Sequence, residues 1–246
     1  MAVVSSPEVT ARAKTRTDVL ASGRERVRTG PWRGDGRIAY LAPVPDAPPP
    51  SSAFVQRCLG ELAARGFQSV ITAALSVAER QAFYNAGFSD QERLRLLTHD
   101  LQKLPALPSP GRRARRADRA AVLAVDAATF SAFWRLDEWG LEQAVSATPS
   151  TRFRVSTDGE RVVGYAITGR AGSEGYLQRL AVHPASQRAG RGRALALDGL
   201  HWLRRKGTGR AVVNTQVGNA AAFDLYVGLG FRAQPNDLVV LRRELG

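Results

Sequence analysis

A glycine-rich turn with several arginines stands in the second half of the chain, between an apolar run and a segment of helical pattern. It reads HPASQRAGRGRALAL, from His183 to Leu197. Glycine lets the backbone approach a ligand closely, and the first residues of a helix leave unpaired N–H groups at the positive end of the helix dipole. Arginines add charge-assisted hydrogen bonds. Residues of these types in this order predict a site for a phosphate-bearing ligand.

The spacing of this turn excludes two common phosphate-binding loops. A P-loop has Lys followed by Ser or Thr after its last glycine, whereas Gly192 is followed by Arg193 and Ala194. A dinucleotide-binding fingerprint has a small residue where this chain has Leu195. What remains is Q-x-x-G-x-G, which begins at Gln187. Taken alone, this short pattern fits a helix start with nothing bound equally well.

A second pattern lies nearer the C-terminus, in the segment NAAAFDLYVGLGF. Its residues have the spacing N-x-x-A-x-x-x-Y-x-x-x-G-F, and they are Asn219, Ala222, Tyr226, Gly230 and Phe231. Together the two patterns resemble the acetyl-CoA signature of the GNAT superfamily of N-acetyltransferases. The resemblance covers residues 119–246 with both motifs and residues 37–101 weakly, without the first.

The resemblance implies acetyl-CoA as the cofactor, and it implies which residues hold it. They are Leu180, Ala181, Val182, Gln187, Arg188, Ala189, Gly190, Arg191, Gly192, Arg193, Asn219, Ala222 and Tyr226. By the same likeness, backbone groups of Leu180 and Val182 bind the pantetheine arm and the thioester carbonyl. Asn219 has a second interpretation, because asparagine is also a favoured N-cap at the start of a helix.

The resemblance further implies N-acetyl transfer by direct attack of a primary amine on the thioester, with Tyr226 as general acid. A tyrosine with a pKa near ~10 stays protonated at pH 7 and can assist a thiolate whose pKa is near ~8.5. Glu174 stands where similar ribosomal-protein N-terminal acetyltransferases carry a catalytic glutamate, and an exposed loop carboxylate explains it equally well. An α-amine with a pKa of about 8 could instead react through a water relay.

The acceptor is expected to contact the segment FSAFWRLDEWGLEQA and the strand that precedes the glycine turn. Trp134, Asp137 and Trp139 could cage a cation, although aromatic residues at helical spacing more often belong to a core. Gln178 and Arg179 lie on the strand. Arg179 interrupts an apolar run, and a buried guanidinium without a partner is costly. It therefore requires a carboxylate, either the protein's own or the acceptor's.

The hydrophobic pattern predicts the elements that position these residues. RAAVLAVD is interpreted as a strand, AATFSAFWRLDEWGLEQAVSA as one amphipathic helix, and the segment around Asp158 and Gly159 as a hairpin. The pattern then predicts a strand, a helix over 191–206, a further strand, a helix that opens at Asn219 and a last strand, LVVLRREL. The predicted fold is α/β, with a mixed, mostly antiparallel central sheet flanked by helices, the acyl-CoA N-acyltransferase fold, partly duplicated.

The first half of the chain repeats part of this order, which predicts four segments. They are an N-terminal segment (1–36), a degenerate GNAT-like half-domain (37–101), a Pro/Arg-rich linker (102–118) and a catalytic GNAT domain (119–246). In the first copy, PDAPPPSS replaces the glycine turn, and prolines lack the N–H groups that bind phosphate. That copy is expected to be structural, with Cys58 in its core. The duplicated layout also resembles mycothiol synthases, with a shorter first copy.

Composition narrows the function classes. With Cys58 as its single cysteine, the chain can form neither an internal disulfide nor a cysteine zinc cage, and its three histidines lack ligand spacing, so no metal is expected. We find no signal-peptide core and no run of about 20 apolar residues. A cytoplasmic location without membrane partners is therefore expected.

The net charge of +13 favours polyanions, but the excess is mostly arginine in an alanine-rich chain without a nucleic-acid-reading motif. We therefore expect acetyl-CoA and an amine acceptor as partners, and no dedicated nucleic acid. Two other functions stay open. One is a non-catalytic acyl-CoA-binding or regulatory module. The other is an arginine-rich RNA- or ribosome-associated protein on the same scaffold, whose binding would fall steeply with salt.

Overall fold

The computed structural model describes residues 18–45, 47–107 and 111–246. The chain forms two compact units, of which one holds the residues up to 95 together with 235–246 and the other holds residues 96–234. The predicted segment ends at 36, 101 and 118 do not coincide with these limits. The expectation that no signal peptide opens the chain falls mainly on residues outside the described ranges.

Within its described residues, the first unit is a mixed sheet with two helices. Its strands are β1 (Asp18–Ser22), β2 (Glu25–Trp32), β3 (Asp35–Pro43), β4 (Ser69–Thr72), the start of β5 (Ser89–His99) and β12 (Leu238–Glu244), in the spatial order β1-β2-β3-β4-β12-β5. Its helices are α1 (Ser52–Ala64) and α2 (Val77–Asn85). β3 and β4 pair in parallel across α1, and the other pairs are antiparallel.

Two features of this unit correct the sequence prediction. The N-terminal segment (1–36), in which no element was predicted, contains the β1–β2 hairpin. Its alternation was hard to detect because arginines fill the exposed positions beside Val27, which is fully buried. The last strand, β12, was predicted for the C-terminal domain and instead pairs with β4 and β5 in the first unit.

The start of α1 replaces the glycine turn in this unit. The Ser51 hydroxyl caps the helix by accepting from the Phe54 N–H at 3.2 Å. The Ser51 N–H in turn donates to the Glu25 carboxylate. A carboxylate from the protein itself therefore occupies the positive end of α1, which supports a structural role for this copy. Burial raises the pKa of the Cys58 thiol to about 11, as suits a core residue rather than a nucleophile.

Among the described residues, the second unit contains the end of β5 and six further strands with four helices. The strands are β6 (Arg112–Arg113), β7 (Ser150–Asp158), β8 (Arg161–Ala171), β9 (Glu174–Val182), β10 (Arg210–Gln216) and β11 (Arg232–Ala233), and the helices are α3 (Arg119–Thr129), α4 (Glu138–Ser146), α5 (Arg191–Arg205) and α6 (Ala220–Val227). The order β10-β9-β8-β7-β6 is antiparallel except for the parallel β9–β10 pair. β11 pairs with the end of β5.

The predicted fold class is confirmed, since a mixed and mostly antiparallel sheet is flanked by helices. The hairpin at Asp158 is also confirmed. The prediction of a strand for RAAVLAVD was wrong, because this segment is α3, whose buried residues Val122, Val125 and Asp126 have helical spacing. The single helix expected after it is interrupted by a short 3-10 turn, Ala132–Trp134, before α4 begins.

Helices cover both faces of the second unit's sheet. α3 and α4 pack on one face, where Tyr165 and Ile167 are fully buried. α5 packs on the other face, and there Asp198 of α5 is only 1% exposed. Its carboxylate accepts from Arg152 of β7, Nε to Oδ2 at 2.6 Å and Nη2 to Oδ1 at 2.8 Å. This bidentate ion pair joins the helix to the sheet.

The substitution Asp198→Ala should lower the free energy of unfolding by about 3 kcal/mol, because it leaves the guanidinium of Arg152 buried without its partner. Urea denaturation followed by circular dichroism measures this difference. Glu142→Ala is the matched control, since its ion pair with Arg119 is at the surface and should contribute less than about 1 kcal/mol. Equal effects of the two substitutions would contradict the structural role of the buried pair.

Candidate functional site

Strands β9 and β10 separate along their length, and this separation creates the site. They pair only over Glu174–Tyr176 of β9, although β9 continues to Val182. From Leu177 onward, the edge of β9 that faces away from β8 has no ladder partner in the described chain. Backbone N–H and C=O groups need hydrogen-bond partners, so this edge can receive an extended ligand in the manner of an added strand.

A β-bulge on β9 accompanies the separation. Ile167 of β8 is opposite Arg179, and the next β8 residue is opposite Leu177, so Gln178 is the additional residue. Arg179 contacts α3, whereas Leu177 approaches Gly199 of α5 on the other face. Such a bulge bends its strand and locally increases the twist. It therefore helps to turn the end of β9 away from β10.

The glycine turn ends in α5 with the geometry that an anion site requires. Gly190 is the N-cap with φ +71°, a left-handed conformation that glycine adopts without strain. No side chain caps the helix, and its first turn contains no acidic residue. Ser51, Asp137 and Asn219, by contrast, cap their own helices. The N–H groups that open α5 are therefore available to a ligand phosphate.

Side chains of the turn brace it against its surroundings. Gln187 donates from Nε2 to the Val182 carbonyl at 3.0 Å. Arg191 donates to the Thr157 carbonyl at 2.8 Å, and Arg193 donates to the Gly228 carbonyl at 3.0 Å. These bonds fix the turn, and they leave the positive charge of both arginines close to it.

A cleft of about 650 Å³ combines most of the residues predicted for cofactor binding. Its lining includes Leu180, Ala181, Val182, Gln187, Arg188, Gly190, Arg191, Gly192, Arg193, Asn219, Ala222 and Tyr226. Ala189 lines a neighbouring cavity instead. The lining also contains residues that sequence reasoning missed, namely Thr129, Phe130, Ser131, Gln216, Ala220, Ala221, Asp224 and Leu225. Most of these stand beside a predicted residue, but the end of α3 carries no motif that could have revealed it.

Tyr226 lines this cleft, and it is only 6% exposed. Its ring packs edge-on against Phe231 at 5.6 Å between centroids, which fixes the position of the hydroxyl. Burial raises the pKa of Tyr226 above its ordinary value of 10.0. Asn219 caps α6 by accepting from the Ala222 N–H at 3.0 Å, so the capping interpretation is correct while the residue also lines the cleft.

Glu174 is not brought to the cleft. It begins β9, and six residues of extended chain, about 20 Å, separate it from Leu180. Its carboxylate accepts from Arg210 at 3.1 Å through both Nε and Nη2. This position corrects the expectation of a catalytic base, because the strand places Glu174 and the cleft at opposite ends.

Arg179 pairs with the protein's own carboxylate, which resolves the alternative left by the sequence. Its Nε and Nη2 donate to Oδ2 of Asp126 at 2.9 and 2.6 Å. Asp126 is fully buried on α3 and also accepts from the Tyr165 hydroxyl and, at 2.7 Å, from the Leu136 N–H. The sequence did not reveal Asp126 because its segment was interpreted as a strand.

The other residues predicted for acceptor recognition do not line the cleft. Asp137 caps α4 by accepting from the Gly140 N–H at 2.6 Å. Trp134 offers its carbonyl to Arg179 and packs its ring on Phe133. Gln178 has a buried Oε1 without a hydrogen-bond partner in the described chain. No helix among the described residues is long and apolar enough to span a membrane.

Comparison with known proteins identifies related sequences. Residues 120–231 match the family described as Acetyltransferase (GNAT). A mycothiol acetyltransferase of Rhodococcus opacus (strain B4) is 29% identical over 188 residues, which are 70% of this chain and 62% of that protein. One of Nocardia farcinica (strain IFM 10152) is 34% identical over 130 residues, or 47% and 42% of the two chains. The chain thus spans less than two thirds of the length of these relatives.

Solved structures share the fold. A tandem GNAT protein from the clavulanic acid biosynthesis pathway has a TM-score of 0.65 and 12% identity, over 93% of this chain and 82% of that one. A GCN5-related N-acetyltransferase from Sphaerobacter thermophilus has a TM-score of 0.63 and 16% identity, over 90% and 77%. At such identities, the likeness shows the fold alone.

Stability at alkaline pH should report the burial of Tyr226. Because its pKa is raised in the folded state, its contribution is fully present below about pH 10 and is lost as pH rises further. Between pH 9 and pH 11, Tyr226→Phe should therefore lose about 1 kcal/mol less of its free energy of unfolding than the wild type loses. Urea denaturation at the two pH values measures this. Equal losses would contradict the burial of the hydroxyl.

Proposed function

From the membership of residues 120–231 in the acetyltransferase (GNAT) family, we propose that this chain moves the acetyl group of acetyl-CoA onto a primary amine. The observation that carries this proposal is the cleft, which joins three features in one place. They are the uncapped start of α5, the unpaired edge of β9 and the hydroxyl of Tyr226. The first suits a pyrophosphate, the second an extended pantetheine arm and the third a leaving sulfur.

The backbone performs most of the binding in this proposal. N–H groups at the start of α5 donate to the pyrophosphate oxygens, with Arg191 and Arg193 supplying nearby positive charge. The open edge of β9 at Leu180–Val182 pairs with the amides of the pantetheine arm. A backbone N–H of the same edge donates to the thioester oxygen as negative charge develops on it, which stabilises the transition state.

Acetyl-CoA supplies an acyl group on a thioester, and the amine nitrogen attacks its carbonyl carbon. A C–N bond forms, the C–S bond breaks, and the nitrogen gives up one proton while the sulfur leaves as a thiolate that gains one. Because the pKa of Tyr226 lies above that of a thiol, near ~8.5, the hydroxyl favours a hydrogen bond to the sulfur over complete transfer of its proton.

A protein carboxylate for the general base is not at the position expected from sequence, since Glu174 lies away from the cleft and is paired with Arg210. Asp224 is the carboxylate among the described lining residues, and it is exposed. An α-amine with a pKa of about 8 is already partly neutral at pH 7, so water can accept its proton. The site therefore suits an acceptor of this kind better than a lysine side chain.

The acceptor is proposed to be a small molecule or a protein N-terminal α-amine. The relatives named mycothiol acetyltransferase make a mycothiol-type small molecule the first acceptor to test for this chain. Acetyl-CoA and such an acceptor are the proposed partners.

Gly192→Asp should weaken acetyl-CoA binding at least about tenfold without harming the fold. A Cβ at this position meets only Leu225 and Val182, at 3.6 and 3.7 Å, and an acidic residue suits the first turn of a helix. The new carboxylate would face the pyrophosphate and repel it. Titration calorimetry measures the dissociation constant, and thermal unfolding checks the fold.

Gly192→Ala is the matched control for this substitution, since it adds the Cβ without charge and should bind acetyl-CoA within about threefold of the wild type. Undiminished binding by Gly192→Asp would place the phosphates elsewhere. Absence of binding by the wild type would refute the proposed function.

Tyr226→Phe should lower kcat about a hundredfold while the dissociation constant of acetyl-CoA changes less than about threefold. The ring keeps its packing on Phe231 and only the hydrogen bond to the sulfur is lost. Steady-state kinetics from pH 6 to pH 9 measure the effect. Tyr176→Phe, on β9 outside the cleft lining, is the control and should retain kcat within about twofold. Acetyl-CoA binding without transfer to any amine would favour the non-catalytic module.

A further inference from the structure

The C-terminal end of α3 reaches the cleft and is attached to β9. The Thr129 hydroxyl lies within hydrogen-bond distance of two carbonyls, that of Val125 at 2.7 Å and that of Val182 at 3.3 Å. Phe130 follows directly as the C-cap of α3, with extended backbone at φ −107° and ψ 151°. This attachment sets the ring of Phe130 beside the last residues of β9, and both line the cleft.

The ring of Phe130 cannot easily move. The Arg179 guanidinium lies over it, with Cζ 3.6 Å from the ring centroid. That guanidinium is held by Asp126, which belongs to α3 one turn before Phe130. Displacing the ring would separate a cation–π contact that a buried ion pair supports. Arg179 and Asp126 are therefore positioning residues for Phe130.

The position of this ring relative to β9 determines which part of a bound donor it would contact. Arg179, on which the ring stacks, directly precedes Leu180, where the open edge reaches the cleft. Phe130 and Leu180 line the same cleft, so an acyl group whose carbonyl is bound at this edge would extend toward the ring of Phe130. A two-carbon group ends close to the carbonyl, whereas each further methylene must occupy the volume of the ring.

We propose that Phe130, held by Arg179 and Asp126, is the wall that restricts the donor to a short acyl group. This inference rests on the proposed function, because it assigns the acyl end of the same cleft. Phe130 would then determine donor specificity, although it belongs to no recognisable sequence motif. The donor class it selects is acetyl-CoA over longer acyl-CoA thioesters.

Titration calorimetry of the full chain with free CoA, acetyl-CoA, butyryl-CoA and hexanoyl-CoA tests the wall without any acceptor. The wild type should bind hexanoyl-CoA at least about tenfold more weakly than acetyl-CoA. Phe130→Ala should reduce that difference to less than about threefold. Phe133→Ala is the matched control, since this second phenylalanine of the same loop does not line the cleft, and it should retain the wild-type preference.

A larger side chain at position 130 should have the opposite effect on acyl-CoA binding. Phe130→Trp should weaken acetyl-CoA relative to free CoA, because the wall then enters the space of the acetyl group, while free CoA binds as in the wild type. Equal affinity of the wild type for all four ligands, or a preference unchanged in both variants, would overturn the proposal. Failure of the wild type to bind even free CoA would instead refute the proposed function, so the two failures are distinguishable.

Discussion

The separation of β9 from β10 after Tyr176 is the constraint on which the rest of the second unit depends. Parallel strands normally satisfy each other's backbone groups along their length, and here about two thirds of β9 has no such partner among the described residues. The bulge at Gln178, the turn through Gly190 and the uncapped start of α5 all follow within the next residues. The result is a concentration of unsatisfied N–H groups that a ligand can satisfy.

Two buried ion pairs keep this open edge in place. Asp126 binds Arg179 on one face of the sheet, and Asp198 binds Arg152 on the other. Each pair joins a helix to a strand of the sheet that borders the cleft. Burying a charged pair contributes little net stability compared with apolar packing, but a broken pair is costly, so the arrangement favours one register of helix against strand.

The sequence predicted the parts of the site that depend on local backbone chemistry. The glycine turn and the Asn219 cap are local, and both lie where they were expected. The surroundings of Glu174 and Arg179 were harder to predict from sequence. The position of a residue on a strand does not reveal which end of the strand separates from its neighbour, or which side chains pack on its face. Asp126 was missed because a short apolar run fits a strand and a buried helix equally well, and only tertiary packing chooses between them.

The positive ends of the helix dipoles at the starts of α1 and α5 are balanced in two different ways. In the first unit, Glu25 supplies a permanent counter-charge to the helix dipole, and the fold is self-sufficient there. In the second unit, no side chain caps the start of α5. Under the proposed function, the phosphates of acetyl-CoA supply the counter-charge there, and they leave with CoA after every turnover. The first unit therefore keeps its architecture without a ligand at this helix start, because one carboxylate of its own occupies the position.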